Sequence, residues 1–144
     1  MSTNDRSPFD LVQEFAASVE PAEWRVMVAC LMLNRTHGRQ VRPMVTELFE
    51  RAPTPEAAVR AVDAGELDHL LRPLGFINRR KRALRAMAVD YCAGKRRASC
   101  YGTGDYCTDS LRIFVDGETD VATDDPWLKK YLEWRNSSAT EELT

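Results

Sequence analysis

At 144 residues, with 44% apolar and 29% charged residues, the chain has the size and make-up of one globular domain with a sizeable core. No apolar run approaches the roughly 18 residues of a membrane span, which argues against a helical membrane protein. A net charge of −2 speaks against a uniformly basic nucleic-acid binder. Its distribution nonetheless permits a basic face. Arg72, Arg79, Arg80, Lys81, Arg82, Arg85, Lys95, Arg96 and Arg97 crowd the middle of the chain, while acidic residues gather at the ends and over residues 47–68. The N-terminus carries no signal-peptide pattern, and Cys30, Cys92, Cys100 and Cys107 show no C-x-x-C spacing. An intracellular protein with buried free thiols is expected.

Ser7 and Pro8 form a cap-and-proline helix start, followed by Phe9, Leu11, Val12, Phe15 and Val19 on one helical face. Pro21 opens the next helix. Its residues from Trp24 to Leu33 are apolar almost without break, as expected of a central buried helix, with a buried strand as the rival reading. A polar loop over residues 34–40 follows, then a helix starting at Pro43 through Met44, Val45, Leu48 and Phe49. Thr54 and Pro55 start a short helix that Gly65 breaks, and Leu67, Leu70, Leu71 and Leu74 form another that Gly75 ends.

Asn78 is placed to cap a long basic helix with Ala83, Leu84, Met87, Ala88, Tyr91 and Cys92 on its inward face. A helical run over residues 107–115 and a turn at Asp116 and Gly117 come next. The last helix starts at Asp125 and Pro126, with Trp127, Leu128, Tyr131, Leu132 and Trp134 as its apolar residues. No strand pattern and no solenoid repeat is present. The predicted fold class is all-α: one compact domain, or two small helical lobes with a cleft between them. We assign residues 1–6 to a disordered N-terminus, 7–136 to the folded domain and 137–144 to a polar tail.

Two features carry chemistry. Gly102 and Gly104, one residue apart, make a tight hairpin between two helical runs. Helix, G-x-G hairpin, helix is a way to aim backbone N–H groups at one phosphate of a DNA strand. Some twenty residues on, Asp124 and Asp125 stand before Pro126 at a helix start. There a carboxylate can face whatever the hairpin grips, or simply cap the helix.

In these residues the chain resembles the helix-hairpin-helix DNA glycosylase superfamily, and within it the glycosylase domains of the methyl-CpG-binding thymine glycosylases. The likeness is carried by the run from Ser7 to Gln13, Leu33 to Thr36 with Gly38, and Leu71 to Gly75. It continues through Gly102, Gly104, Tyr106, Asp109, Ser110 and Arg112 to Phe114, and then Asp125, Leu128, Lys130, Tyr131 and Trp134.

The resemblance implies base excision repair: a mismatched or damaged base is flipped out of double-stranded DNA and its N-glycosidic bond is hydrolysed. Asp125 is the implied catalytic carboxylate, with Asp124 its adjacent rival. It would stabilise the oxocarbenium-like sugar. Superfamily members that also cut the strand carry a lysine where this chain has Tyr106, so a monofunctional enzyme is expected. Tyr106 and Gln13 are the implied base-binding residues. Arg35, Thr36, Gly38 and Phe76 would enter or contact the duplex, and Gly102, Thr103 and Gly104 would hold a phosphate.

Thr103 stands where Val or Ile is usual, and Asp105 where a basic residue is common, so the hairpin is expected to work through its backbone amides. With no cysteine after Cys107, no iron–sulfur cluster, metal or other cofactor is expected. The expected substrate is thymine or uracil opposite guanine, handled by a monomer. Another modified base, or a non-catalytic DNA-binding module, is the alternative.

Overall fold

The computed structural model describes residues 22–33, Thr36 and residues 38–143. The expected first helix with Gln13, and Asn34, Arg35 and His37, lie outside the described residues. The described residues form seven α-helices: α1 (Ala22–Leu33), α2 (Gly38–Arg51), α3 (Pro55–Asp63), α4 (Asp68–Leu71), α5 (Ile77–Cys92), α6 (Asp105–Ser110) and α7 (Pro126–Leu143). A 3-10 turn (Arg72–Leu74) continues α4, another (Arg97–Ser99) follows α5, and a π-helical turn (Leu111–Val115) continues α6. Among the described residues there is no strand, and no helix is long and apolar enough to cross a membrane. The protein is all-α.

The apolar run after Pro21 is the central helix. Trp24, Val26, Met27, Val28, Ala29 and Met32 of α1 are completely shielded from water. Helices α2, α5 and α6 all pack against it. The α2 helix begins at Gly38, not at Pro43, so Pro43 stands inside it. A proline there forfeits one backbone bond, to the carbonyl four residues back. The loss falls near the start of the helix. It is outweighed by Val41, Met44, Val45, Leu48 and Phe49, which all reach the core.

Thr54 caps α3 as expected: its Oγ1 accepts from the Ala57 N–H at 3.1 Å, with Pro55 next in line. Thr54→Ala should remove this bond. We expect a loss of about 1 kcal/mol and a thermal midpoint lowered by a few degrees. A thermal melt of the variant beside wild type checks it.

Four sequence expectations need correction. Asn78 does not cap α5. Phe76 occupies the cap position in the left-handed region, at φ 53°, and makes no side-chain cap bond. The buried stripe of α5 is Arg80, Leu84, Met87 and Ala88, with Tyr91 half-buried and Cys92 exposed. Arg80 thus belongs to the inward stripe and not to a basic surface. Trp127 is 60% exposed. The stripe of α7 runs through Leu128, Tyr131 and Leu132, and one residue back turns the side chain by about 100°. Finally, α7 continues to Leu143, past the expected start of a tail at Ser137.

The run over residues 107–115 also splits. After Ser110 the helix widens, and the Asp116 N–H bonds to the Leu111 carbonyl at 3.0 Å, five residues back. This is the π register. Ile113, Val121, Leu128, Tyr131 and Leu132 form a second, smaller buried cluster beside the main core. Tyr106 and Phe114 pack on both clusters.

Candidate nucleic-acid interface and active site

The hairpin is a tight turn closed by the Thr103 N–H to the Cys100 carbonyl at 3.3 Å. Gly102 takes φ +83°, and a Cβ there would lie 3.1 Å from Leu31 Cδ1 and 3.4 Å from Met87 Cε. The turn is therefore pressed onto both α1 and α5, and glycine is required by conformation and by space. Asp90 on α5 fixes the other side, its Oδ2 accepting from the Tyr101 N–H at 2.8 Å.

Gly104 is different. It caps α6 with extended backbone at φ −94°, and nothing lies within 4 Å of where its Cβ would be. The first-turn amides of α6 are thus presented beside an open position, as helix-start donors that have no carbonyl of their own helix to bond. Thr103 turns inward: its Oγ1 is buried and has no hydrogen-bond partner among the described residues. The β-branched shape usual at that position is kept, at the cost of a buried hydroxyl. Asp105 is exposed in the first turn of α6.

Behind the hairpin, Tyr106 sits between the two buried clusters. Burial pushes its phenol well above the usual tyrosine range, and the nearby Cys30 thiol and Asp125 carboxylate push it further. Tyr106 is therefore a neutral donor at any working pH. Cys30 lies against Cys107, and this contact, with burial and the Asp125 charge, holds its thiol protonated. Ser110 is completely shielded and lies beside both Cys30 and Tyr106. Sequence reasoning singled out neither Cys30 nor Ser110 for this place. Cys30 is hidden in an unbroken apolar run, and Ser110 follows Tyr106 by one helical turn.

Asp125 closes the arrangement. Its backbone N–H donates to Thr123 Oγ1 at 3.2 Å. Its Oδ2 accepts from the Leu128 N–H at 2.9 Å, capping α7. The carboxylate is thus anchored by one oxygen and half-buried, close enough to Tyr106 and Cys30 to influence both. Asp124 is exposed. Capping α7 and lying near Tyr106 are compatible for one carboxylate.

The basic stretch is mostly spent internally. Arg97 makes two 2.6 Å bonds to Asp116 and one of 2.8 Å to Glu23. Arg85 pairs with Asp63, Lys81 with Asp68 and Lys95 with Asp90. Arg96 lies over the Tyr91 ring and 3.8 Å from Glu23. Arg72, Arg79 and Arg82 remain exposed, with no carboxylate partner among the described residues. All three are near Phe76 in the chain. Phe76 is itself 59% exposed, with the Arg79 guanidinium 5.9 Å from its ring centre.

Arg80 connects this region to the loop before α2. It donates from Nε to the Gly75 carbonyl at 2.8 Å and from Nη1 to the Met32 carbonyl at 3.1 Å. Nη2 reaches Thr36 Oγ1 and the Leu74 carbonyl. The signal that could have found it was its place four residues before Leu84 on the apolar stripe. Gly38, which starts α2, is half-buried.

A family model described as "HhH-GPD superfamily base excision DNA repair protein" matches residues 28–142. The chain belongs to that superfamily. It is 31% identical over 132 residues to a methyl-CpG-binding domain protein 4-like protein of Arabidopsis thaliana, a match covering 90% of this chain and 29% of that protein. It is 27% identical over 110 residues to a thymine-DNA glycosylase of Aeropyrum pernix, covering 70% of this chain and 49% of the relative. The chain therefore spans half or less of the length of these relatives.

Proposed function

We propose that the chain is a monofunctional DNA glycosylase that flips thymine or uracil out of G·T and G·U mismatches and hydrolyses the N-glycosidic bond. The observation that carries this reading is Asp125, anchored at the start of α7 and close enough to the neutral Tyr106 phenol to influence it, behind an open G-x-G hairpin. Breaking the bond between base and deoxyribose builds positive charge on the sugar. A fixed carboxylate stabilises that charge and orients the incoming water. Tyr106 offers the flipped pyrimidine a stacking face and an O–H donor. It has no amine to attack the sugar, so the product is an intact strand with an abasic site. Gln13 is proposed for the pyrimidine edge, and Arg35, Thr36, Gly38 and Phe76 for the gap left in the duplex. Gly102, Thr103 and Gly104 would supply the backbone turn at the phosphate.

The test uses duplexes with one G·T or one G·U pair, incubated with the protein and then treated with hot alkali. Cleavage only after alkali supports the reading. Cleavage without alkali overturns the monofunctional part. Binding without any abasic sites points to a different base or a non-catalytic module.

Arg72, Arg79 and Arg82 are the phosphate contacts this reading favours. Changing all three to Gln should flatten the plot of log affinity against log salt by about 0.9 per contact removed. The loss of affinity should be similar for matched and mismatched duplexes. Titrations at several salt concentrations measure both.

A further inference from the structure

We propose that Arg80 is a positioning residue that sets the two duplex-entering segments as one unit. The inference rests on the glycosylase reading above and assigns it a residue that touches no DNA. Phe76 is a large, exposed aromatic in the left-handed region. Bulky residues rarely adopt that conformation, and it persists only where the surroundings impose it. The imposing group is on the next turn of α5. Arg80 Nε holds the Gly75 carbonyl, immediately before Phe76, and Nη2 reaches the Leu74 carbonyl. The Phe76 carbonyl in turn accepts the Arg80 backbone N–H at 2.9 Å. The same guanidinium donates to the Met32 carbonyl and to Thr36 Oγ1, residues that bracket Asn34 and Arg35 in the chain. One planar, permanently charged fork therefore ties the turn before Phe76 to the loop before α2. A lysine, with a single charged nitrogen, cannot span both.

The side chain is buried at the head of the α5 stripe, so its effect on DNA has to pass through the segments it holds. If so, Arg80 and Phe76 are coupled, and a double-mutant cycle detects it. The readout is the fluorescence of 2-aminopurine placed beside the mismatched base, which reports unstacking, followed by single-turnover excision. In the wild-type background, Arg80→Met is expected to reduce both by about tenfold. In the Phe76→Ala background it should change them by less than about twofold. Arg80→Lys should fall between wild type and Arg80→Met, and serves in the same cycle should Arg80→Met fail to fold. Equal losses in both backgrounds, in step with a lowered thermal midpoint, would make Arg80 a merely structural residue and overturn the inference. So would wild-type unstacking in Arg80→Met, or a Phe76→Ala variant that unstacks normally. Failure of the wild-type protein itself to unstack or excise would overturn the glycosylase reading, and the inference with it.

Discussion

Replacing Asp125 with Asn is expected to abolish excision, by at least about a hundredfold in the single-turnover rate, while leaving the fold intact. Two roles meet on this side chain and the substitution separates them. As a cap, Asp125 accepts the Leu128 N–H through one oxygen. Asn caps a helix as well as Asp does, so stability should hold. As a charge, on the reading proposed above, the carboxylate would face a sugar that becomes cationic only in the transition state. It would do so near the half-buried Tyr106 and the buried Cys30, where screening by water is weaker than at an open surface. Asn keeps the shape and loses that attraction.

Asp125→Ala should lose the cap as well, and melt earlier by the equivalent of about 1 kcal/mol. Melting curves and excision rates for the three proteins form one experiment. An active Asp125→Asn would reduce Asp125 to a cap and move the search to Asp124. Loss of activity matched by loss of fold would leave capping as the only demonstrated role.

The parts of this protein that read well from sequence are those where one local interaction decides. Thr54 and Pro55 start α3 because a hydroxyl and a fixed φ suffice. The apolar run of α1 could only be central. Gly65, Gly75, Gly102 and Gly117 mark real turns, all at positive φ. The misreadings share another cause. Pro43 looked like a helix start because its local cost is high, but five core contacts along α2 outweigh it.

Arg80 looked like one more surface cation because charge dominates a local reading. Its carbonyl partners lie as far away in sequence as Met32, and no pattern along α5 announces them. The basic face narrowed for the same reason: Glu23 and Asp116, the partners of Arg97, come from opposite ends of the chain. Of the site, the order of the hairpin and of Asp125 was legible. The buried group of Cys30, Cys107 and Ser110 was not, since it exists only once α1 and α6 pack.

The two hairpin glycines should fail in opposite ways. Gly102→Ala places a side chain at φ +83° and 3.1 Å from Leu31. The left-handed backbone alone costs about 1–2 kcal/mol, so the melt should drop and DNA binding should weaken with it. Gly104→Ala meets no neighbour and no forbidden dihedral, and its stability should stay within about 1 kcal/mol of wild type. What it does obstruct is the space outside the α6 amides. If a phosphate is held there, the added methyl stands in its way. Affinity for a duplex carrying an abasic-site analogue opposite guanine should then fall by about tenfold, worth about 1.4 kcal/mol. The pair thus distinguishes a glycine needed by the fold from one needed by the ligand. Wild-type affinity in Gly104→Ala would mean that the hairpin does not approach the strand at this residue. The phosphate would then have to be sought at Arg72, Arg79 and Arg82 instead.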